Sequence, residues 1–193
     1  MLTRKRLRAE GLGLCIALVF VLTTLARGEI IDRVLAILPG QIITLSDVRA
    51  AVELGLVEVP NGADRIASGR DGLIDRVLML NEVRRVMPPE PAASAVDARL
   101  ARIRQRFSSP AALDRVLAAS GIDDTILRIY AADDVRLEAY LNDRFSAASQ
   151  PTEDEVRRAA GASREQLAAE RRQTLMAAWI AELRRRAEIT VLP

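Results

Sequence analysis

A strand-forming segment stands near each end of this chain, and the long stretch between them reads as helix. Ile31, Arg33, Leu35 and Ile37 alternate with Asp32, Val34, Ala36 and Leu38 up to Pro39-Gly40, and Gln41-Ile42-Ile43-Thr44 follows. That is a β-hairpin pattern with its own turn residues. Glu188-Ile189-Thr190-Val191-Leu192 has the same character at the far end. A lone two-stranded hairpin is marginal in water. The economical solution pairs Ile189 and Val191 with the Ile31–Ile37 strand and so ties the helical body between its ends. The expected fold class is mainly α: a helical domain with a small β-sheet formed by an N-terminal hairpin and the C-terminal strand.

Helix boundaries are marked by caps and breakers. Thr44 or Ser46 can cap a short helix running to about Leu54, and Gly55 to Gly62 reads as a loop. Asp64 to Val86 puts Ile66, Leu73, Val77 and Leu80 on one face, widened by Ile74, Leu78 and Val83. Pro88-Pro89-Glu90-Pro91 stops it. Ser94 with Asp97 is expected to cap a helix through Phe107, and Ser109-Pro110 opens a short one ending at Gly121. Asp123 to Phe145 follows, then a capping box of Thr152 and Glu155 on a short helix ending at Gly161. Ser163 to Ala187 is the last long helix. Its stripe of Leu175, Met176, Trp179, Ile180 and Leu183 should dock the carboxy-terminal half on the core.

Residues 1–28 read as a leader rather than as part of this fold. Arg4, Lys5, Arg6 and Arg8 precede the uncharged run Gly11–Leu25, and Ala26-Arg27-Gly28 places small residues at a cleavage site. The run is shorter than the ~20 residues that cross a bilayer. A cleavable secretory signal peptide is the expectation, cut after Gly28 or Ala26, with no stable membrane insertion afterwards. The net charge of the whole chain is +2. Because the leader holds Arg4, Lys5, Arg6, Arg8 and Arg27 against Glu10 alone, the remainder is slightly acidic, which argues against nucleic acid as a partner.

Composition removes much catalytic chemistry. There is no histidine, and the single cysteine, Cys15, lies in the leader. Ser-His-Asp and Cys-His nucleophilic sites, His-bearing zinc sites and cysteine-held clusters cannot be built. Asp123-Asp124 and Glu153-Asp154-Glu155 open helices, where acids favour the dipole. Asp133-Asp134 lacks the spacing of a calcium loop. No Gly-rich phosphate loop of the Walker type occurs. We expect no enzyme, no cofactor and no metal.

The layout resembles the amino-terminal chaperone module of the SurA family of periplasmic folding factors. The stretch Ile31-Asp-Arg-Val-Leu-Ala-Ile-Leu-Pro-Gly-Gln-Ile-Ile-Thr-Leu-Ser-Asp47 is similar to that family's opening hairpin and first helix. Leu73-Ile-Asp-Arg-Val-Leu-Met-Leu80 resembles its first long helix. Arg164-Glu-Gln-Leu through Trp179-Ile-Ala-Glu-Leu-Arg and Ile189-Thr-Val-Leu192 resembles its closing helix and strand. The resemblance spans residues 29–193, divided into a core (29–160) and a closing helix and strand (161–193). In that family, parvulin-type prolyl isomerase domains stand before the closing helix; here that place holds only Gly161-Ala162. The resemblance therefore implies a periplasmic, ATP-independent holdase for unfolded outer-membrane or secreted polypeptides, without isomerase activity. A non-catalytic envelope-assembly or scaffold module that binds one folded partner is the alternative.

A holdase needs exposed aliphatic surface between helices. Leu100, Ile103, Phe107, Leu113, Leu117 and Tyr130 are the candidate peptide-binding groove, with ordinary core as the competing reading. Asp133 and Arg144 share the stripe of Tyr130 and Tyr140 but lie too far apart along a helix to pair with each other. Asp133 is expected to pair with Arg136 or Arg84, or to line a partly wet cleft. Arg171-Arg172 and Arg184-Arg185-Arg186 read as solvated helix faces.

Overall fold

The computed structural model describes residues 32–159 and 161–193. The signal-peptide reading of residues 1–28 lies outside them, as does the start of the first expected strand. The described residues are mainly helical, with a small antiparallel sheet formed by an N-terminal hairpin and a C-terminal strand.

Strand β1 (Val34–Leu38) turns at Pro39-Gly40 into β2 (Gln41–Thr44), with Gly40 at φ +77° supplying the left-handed turn conformation. Val34 pairs with Thr44 and Ala36 with Ile43, so a register irregularity falls between Val34 and Ala36. That bulge breaks the strict alternation the sequence suggests: Leu35, Ala36 and Leu38 all turn inward while Ile37 stays exposed. At the other end β3 (Thr190–Val191) pairs antiparallel with β1, Ala36 opposite Val191 and Ile37 opposite Thr190. The sheet order is β2-β1-β3, and the two ends do meet.

Seven helices among the described residues fill the interval. Thr44 caps α1 (Leu45–Glu53) in a capping box with Asp47, whose carboxylate accepts from the Thr44 amide at 2.9 Å. Asp64 caps α2 (Arg65–Val86), accepting from the Ile66 and Ala67 amides at 2.8 and 3.0 Å. Helix α3 (Ala93–Gln105) begins a residue before Ser94, with Ala92 at the cap and no side-chain bond. The expected Ser94 cap is therefore corrected: the Pro-rich approach ending at Pro91 delivers the chain early, and Ser94 falls inside the first turn. Ser109 caps α4 (Pro110–Ala119), Asp123 caps α5 (Asp124–Phe145), and Thr152 with Glu155 forms the capping box of α6 (Glu153–Arg158). Helix α7 (Arg164–Arg186) starts at Ser163 in a third capping box.

Helix α2 is the spine. Its residues Ile74, Val77 and Leu78 meet Leu35, Leu38 and Ile43 of the sheet and Trp179 and Leu183 of α7 in a first core. The docking of the second half of α7 is as expected, with Trp179 buried between Tyr140 and Phe145 at ring-centroid distances of 5.8 and 5.7 Å. Arg184 departs from the expected solvated face: its Nε reaches Asp75 at 2.5 Å and its Nη2 the Asp71 carbonyl at 2.8 Å. Arg171 likewise bonds Glu155 at 2.6 Å. Glycines let α1 press close on α2. A Cβ at Gly69 would stand 2.8 Å from Val52, and one at Gly72 would collide with Val57.

Candidate functional site

Four of the six groove candidates are interior. Leu100 and Ile103 of α3 and Leu113 and Leu117 of α4 close a second core with Ala50 of α1, Leu54 at its C-terminal cap, and Leu127 and Ala131 of α5. None of these four is more than 8% exposed. These four follow the competing reading, ordinary core. Helix α1 is apolar on two sides, so α3, α4 and α5 bury its second side instead of leaving a cradle. Phe107, just beyond α3, and Tyr130 on α5 are half-buried at the edge of this core. Tyr130 also faces an open cleft.

That cleft, of about 190 Å³, sits at the junction of the two cores. Its apolar walls come from Ile43, Leu73, Val77, Leu80 and Ile122, and its polar rim from Gln41, Asp47, Arg76, Arg84, Tyr130 and Asp133. Burial, then the nearby Asp47 carboxylate, pushes the Tyr130 phenol up from its usual range. Beneath the rim runs an ionic network between α2, α3 and α5. Arg76 bonds Asp134, with each side chain only 9% exposed. Arg99 reaches the other Asp134 oxygen at 3.1 Å and also bonds Glu138. Asp133 is paired with both of its expected partners, Arg136 at 3.1 Å and Arg84 at 3.4 Å, and it lines the cleft as well. Arg136 extends to Glu90 at 2.5 Å, a bond that raises its pKa further. Two guanidinium nitrogens, Arg76 Nη2 and Arg99 Nε, are buried without a partner. A network of this kind is costly to break from one side, because the remaining charge stays buried.

A larger groove of about 760 Å³ runs between the chain leaving α2 and the outer side of α5. Val86, Met87, Pro88 and Pro89 form one wall, and Val135, Ala139 and Tyr140 the other. Met87 ends α2 in the left-handed conformation, φ +49°, and is 83% exposed. Arg144 lies at the groove with its guanidinium 5.1 Å from the Trp179 ring centre and 3.4 Å from the Tyr140 hydroxyl. The cation–π contact gives this charge a partner from α7. Sequence reasoning took Pro88-Pro89-Glu90-Pro91 only as a stop. The signal that could have revealed the groove was the apolar pair Val86-Met87 at the very end of a helix, where nothing remains to cover it.

Both clefts offer apolar walls with neutralised charge at the rim, suited to binding an apolar segment. Among the described residues no group of three or more Asp, Glu, His or Cys is arranged to hold a metal ion, and no helix is long and apolar enough to cross a membrane. No family model matches the chain, and no curated protein matches it either.

Proposed function

We propose that this chain is an ATP-independent holdase, working in the periplasm on unfolded outer-membrane or secreted polypeptides and without prolyl isomerase activity. The observation that carries the reading is the 760 Å³ groove, whose Val86 and Met87 remain 56% and 83% exposed. Exposed apolar surface concentrated in a groove is what capture of apolar segments requires. Methionine adapts its shape to varied side chains, which suits clients of many sequences. The resemblance to the SurA amino-terminal module supports the same reading. So does the absence of histidine, which removes the usual proton carrier near neutral pH.

The test uses residues 29–193 and an unfolded β-barrel protein diluted from urea, followed by light scattering. Suppression of aggregation near stoichiometric ratios, without nucleotide, is the expected result. Replacing Val86 and Met87 together by serine should weaken it and leave the melting temperature unchanged. A folded protein that gives no suppression overturns the reading and favours a scaffold with one folded partner.

A further inference from the structure

The sheet has one unguarded edge. In the order β2-β1-β3, β2 is an outer strand. Among the described residues Gln41, Ile42 and Ile43 make no hydrogen bond beyond their pairing with β1. Sheets protect such edges with charge, proline, a bulge on the edge strand or a covering element. The segment Gln41-Ile42-Ile43-Thr44 carries no charge and no proline, and the irregularity falls on β1. The opposite edge, β3, is only two residues long.

The same three residues line the junction cleft. Directly opposed residues of neighbouring strands share a face of the sheet. A residue paired with Ile43, which is 1% exposed and points inward, would therefore enter the cleft beside Val77 and Leu80. Its neighbour, paired with Ile42, would extend the outer apolar row of Ile42 and Ile37, which are already partners across β1 and β2. The cleft volume of about 190 Å³ is ample for one aromatic ring, since a cavity of about 150 Å³ holds a benzene. Charge narrows the occupant further. Arg76 and Arg84 balance Asp47 and Asp133 around the cleft, so neither a cation nor an anion is favoured there.

We propose that the open edge of β2 and the junction cleft form one strand-addition site, where an extended, uncharged polypeptide segment pairs with Gln41–Ile43 and seats one large apolar side chain between α2 and α5. Backbone pairing supplies affinity that does not depend on sequence, and the cleft supplies the selection. The inference rests on the holdase reading and names the form in which a client is held.

The experiment measures binding of an uncharged peptide of about seven residues, a usual strand length, with a central phenylalanine. Amide hydrogen exchange of the leaderless protein is read alongside. New protection is expected at the β2 amides that point away from β1, and exchanging the central phenylalanine for alanine should weaken binding about tenfold or more, as for loss of a buried anchor. N-methylating alternate amides along one edge of the peptide should abolish binding, while methylating the other edge should not, because an added strand pairs through a single edge. In the protein, Ile42→Lys places a charge on the edge at a residue that is 57% exposed, so the fold is kept and peptide binding should fall by a similar factor. Equal sensitivity of both peptide edges, or protection confined to other elements, overturns the proposal. If Ile42→Lys binds the peptide and suppresses aggregation as well as the parent, the site is overturned and the holdase stands. If the parent protects its β2 amides with peptide but suppresses no aggregation, the strand-addition site stands and the holdase does not.

Discussion

Arg76 on α2 and Asp134 on α5 bond to one another where neither side chain is more than 9% exposed. Asp134 is shared with Arg99, and the Nη2 of Arg76 has no partner. Arg76→Met should therefore destabilise in urea unfolding, by less than the about 3–5 kcal/mol of a buried charge left wholly unpaired, because Arg99 still faces Asp134. Replacing both partners together, Arg76→Met with Asp134→Leu, should recover much of the loss. A single variant as stable as the parent would mean that water reaches the network.

The sole tryptophan reports on the first core. Trp179 is packed against Tyr140 and Phe145 and lies under the Arg144 guanidinium. Trp179→Ala should cost roughly 3–5 kcal/mol. In the parent its emission should be blue-shifted and move red in one step with unfolding.

Gly72 lies where α1 and the chain after it press on α2, and a methyl there meets Val57. Alanine would gain about 1 kcal/mol of helix propensity. The overpacking costs about 1–3 kcal/mol, so Gly72→Ala should be destabilising on balance. Thermal melting reads the sign directly.

Acid should loosen the join between α6 and α7. A bond from Arg171, then those from the Thr152 amide and hydroxyl, hold the Glu155 carboxyl at about 2, below its ordinary 4.5. Because this pKa is lowered in the folded state, its stabilisation is present above about 4.5 and is lost as pH falls toward 2. The group is exposed, so salt should weaken the effect. Carboxyl NMR shifts of Glu155 followed from pH 6 down should show the low midpoint, and Glu155→Gln should remove that part of the acid response.

Deleting Glu188–Pro193 takes away the Ala36–Val191 pairing, the bond from the Leu192 amide to the Leu35 carbonyl at 2.9 Å, and Ile189 from the first core. The cost should be about 2–4 kcal/mol, one aliphatic side chain and its backbone bonds returned to water. A truncated chain with the parent's urea midpoint would show that the sheet does not depend on β3.

Local chemistry carried most of the fold into the sequence. The Thr44, Ser109, Asp123 and Thr152 caps could be read because each satisfies backbone donors within three residues of itself. The meeting of the two ends was legible because the alternating pattern of Leu35–Ile43 had one other strand to complete it. The site was far less legible. Leu100, Ile103, Leu113 and Leu117 show the same helical period whether they line a groove or a core. Their burial is decided by Ala50 of α1 and Leu54 at its end, presented from a distant part of the chain. The junction cleft draws Gln41, Leu73, Ile122 and Tyr130 from four places, and no spacing announces such a set. The bulge between Val34 and Ala36 also leaves no residue signature, yet it decides that Ile37 faces solvent.

The pairing of Ile37 with Thr190 has a kinetic consequence. Helices α1 to α7 can each form from neighbouring residues, but the third strand closes a loop spanning nearly the whole described chain. Contacts of such sequence separation are made late, since their closure entropy must be met before they stabilise anything. Without Thr190, β1 and β2 form an incomplete ribbon. Without α7 the first core lacks Trp179 and Leu183 as well. Completion of the domain therefore depends on its closing segment, which supplies both the third strand and the tryptophan of the first core.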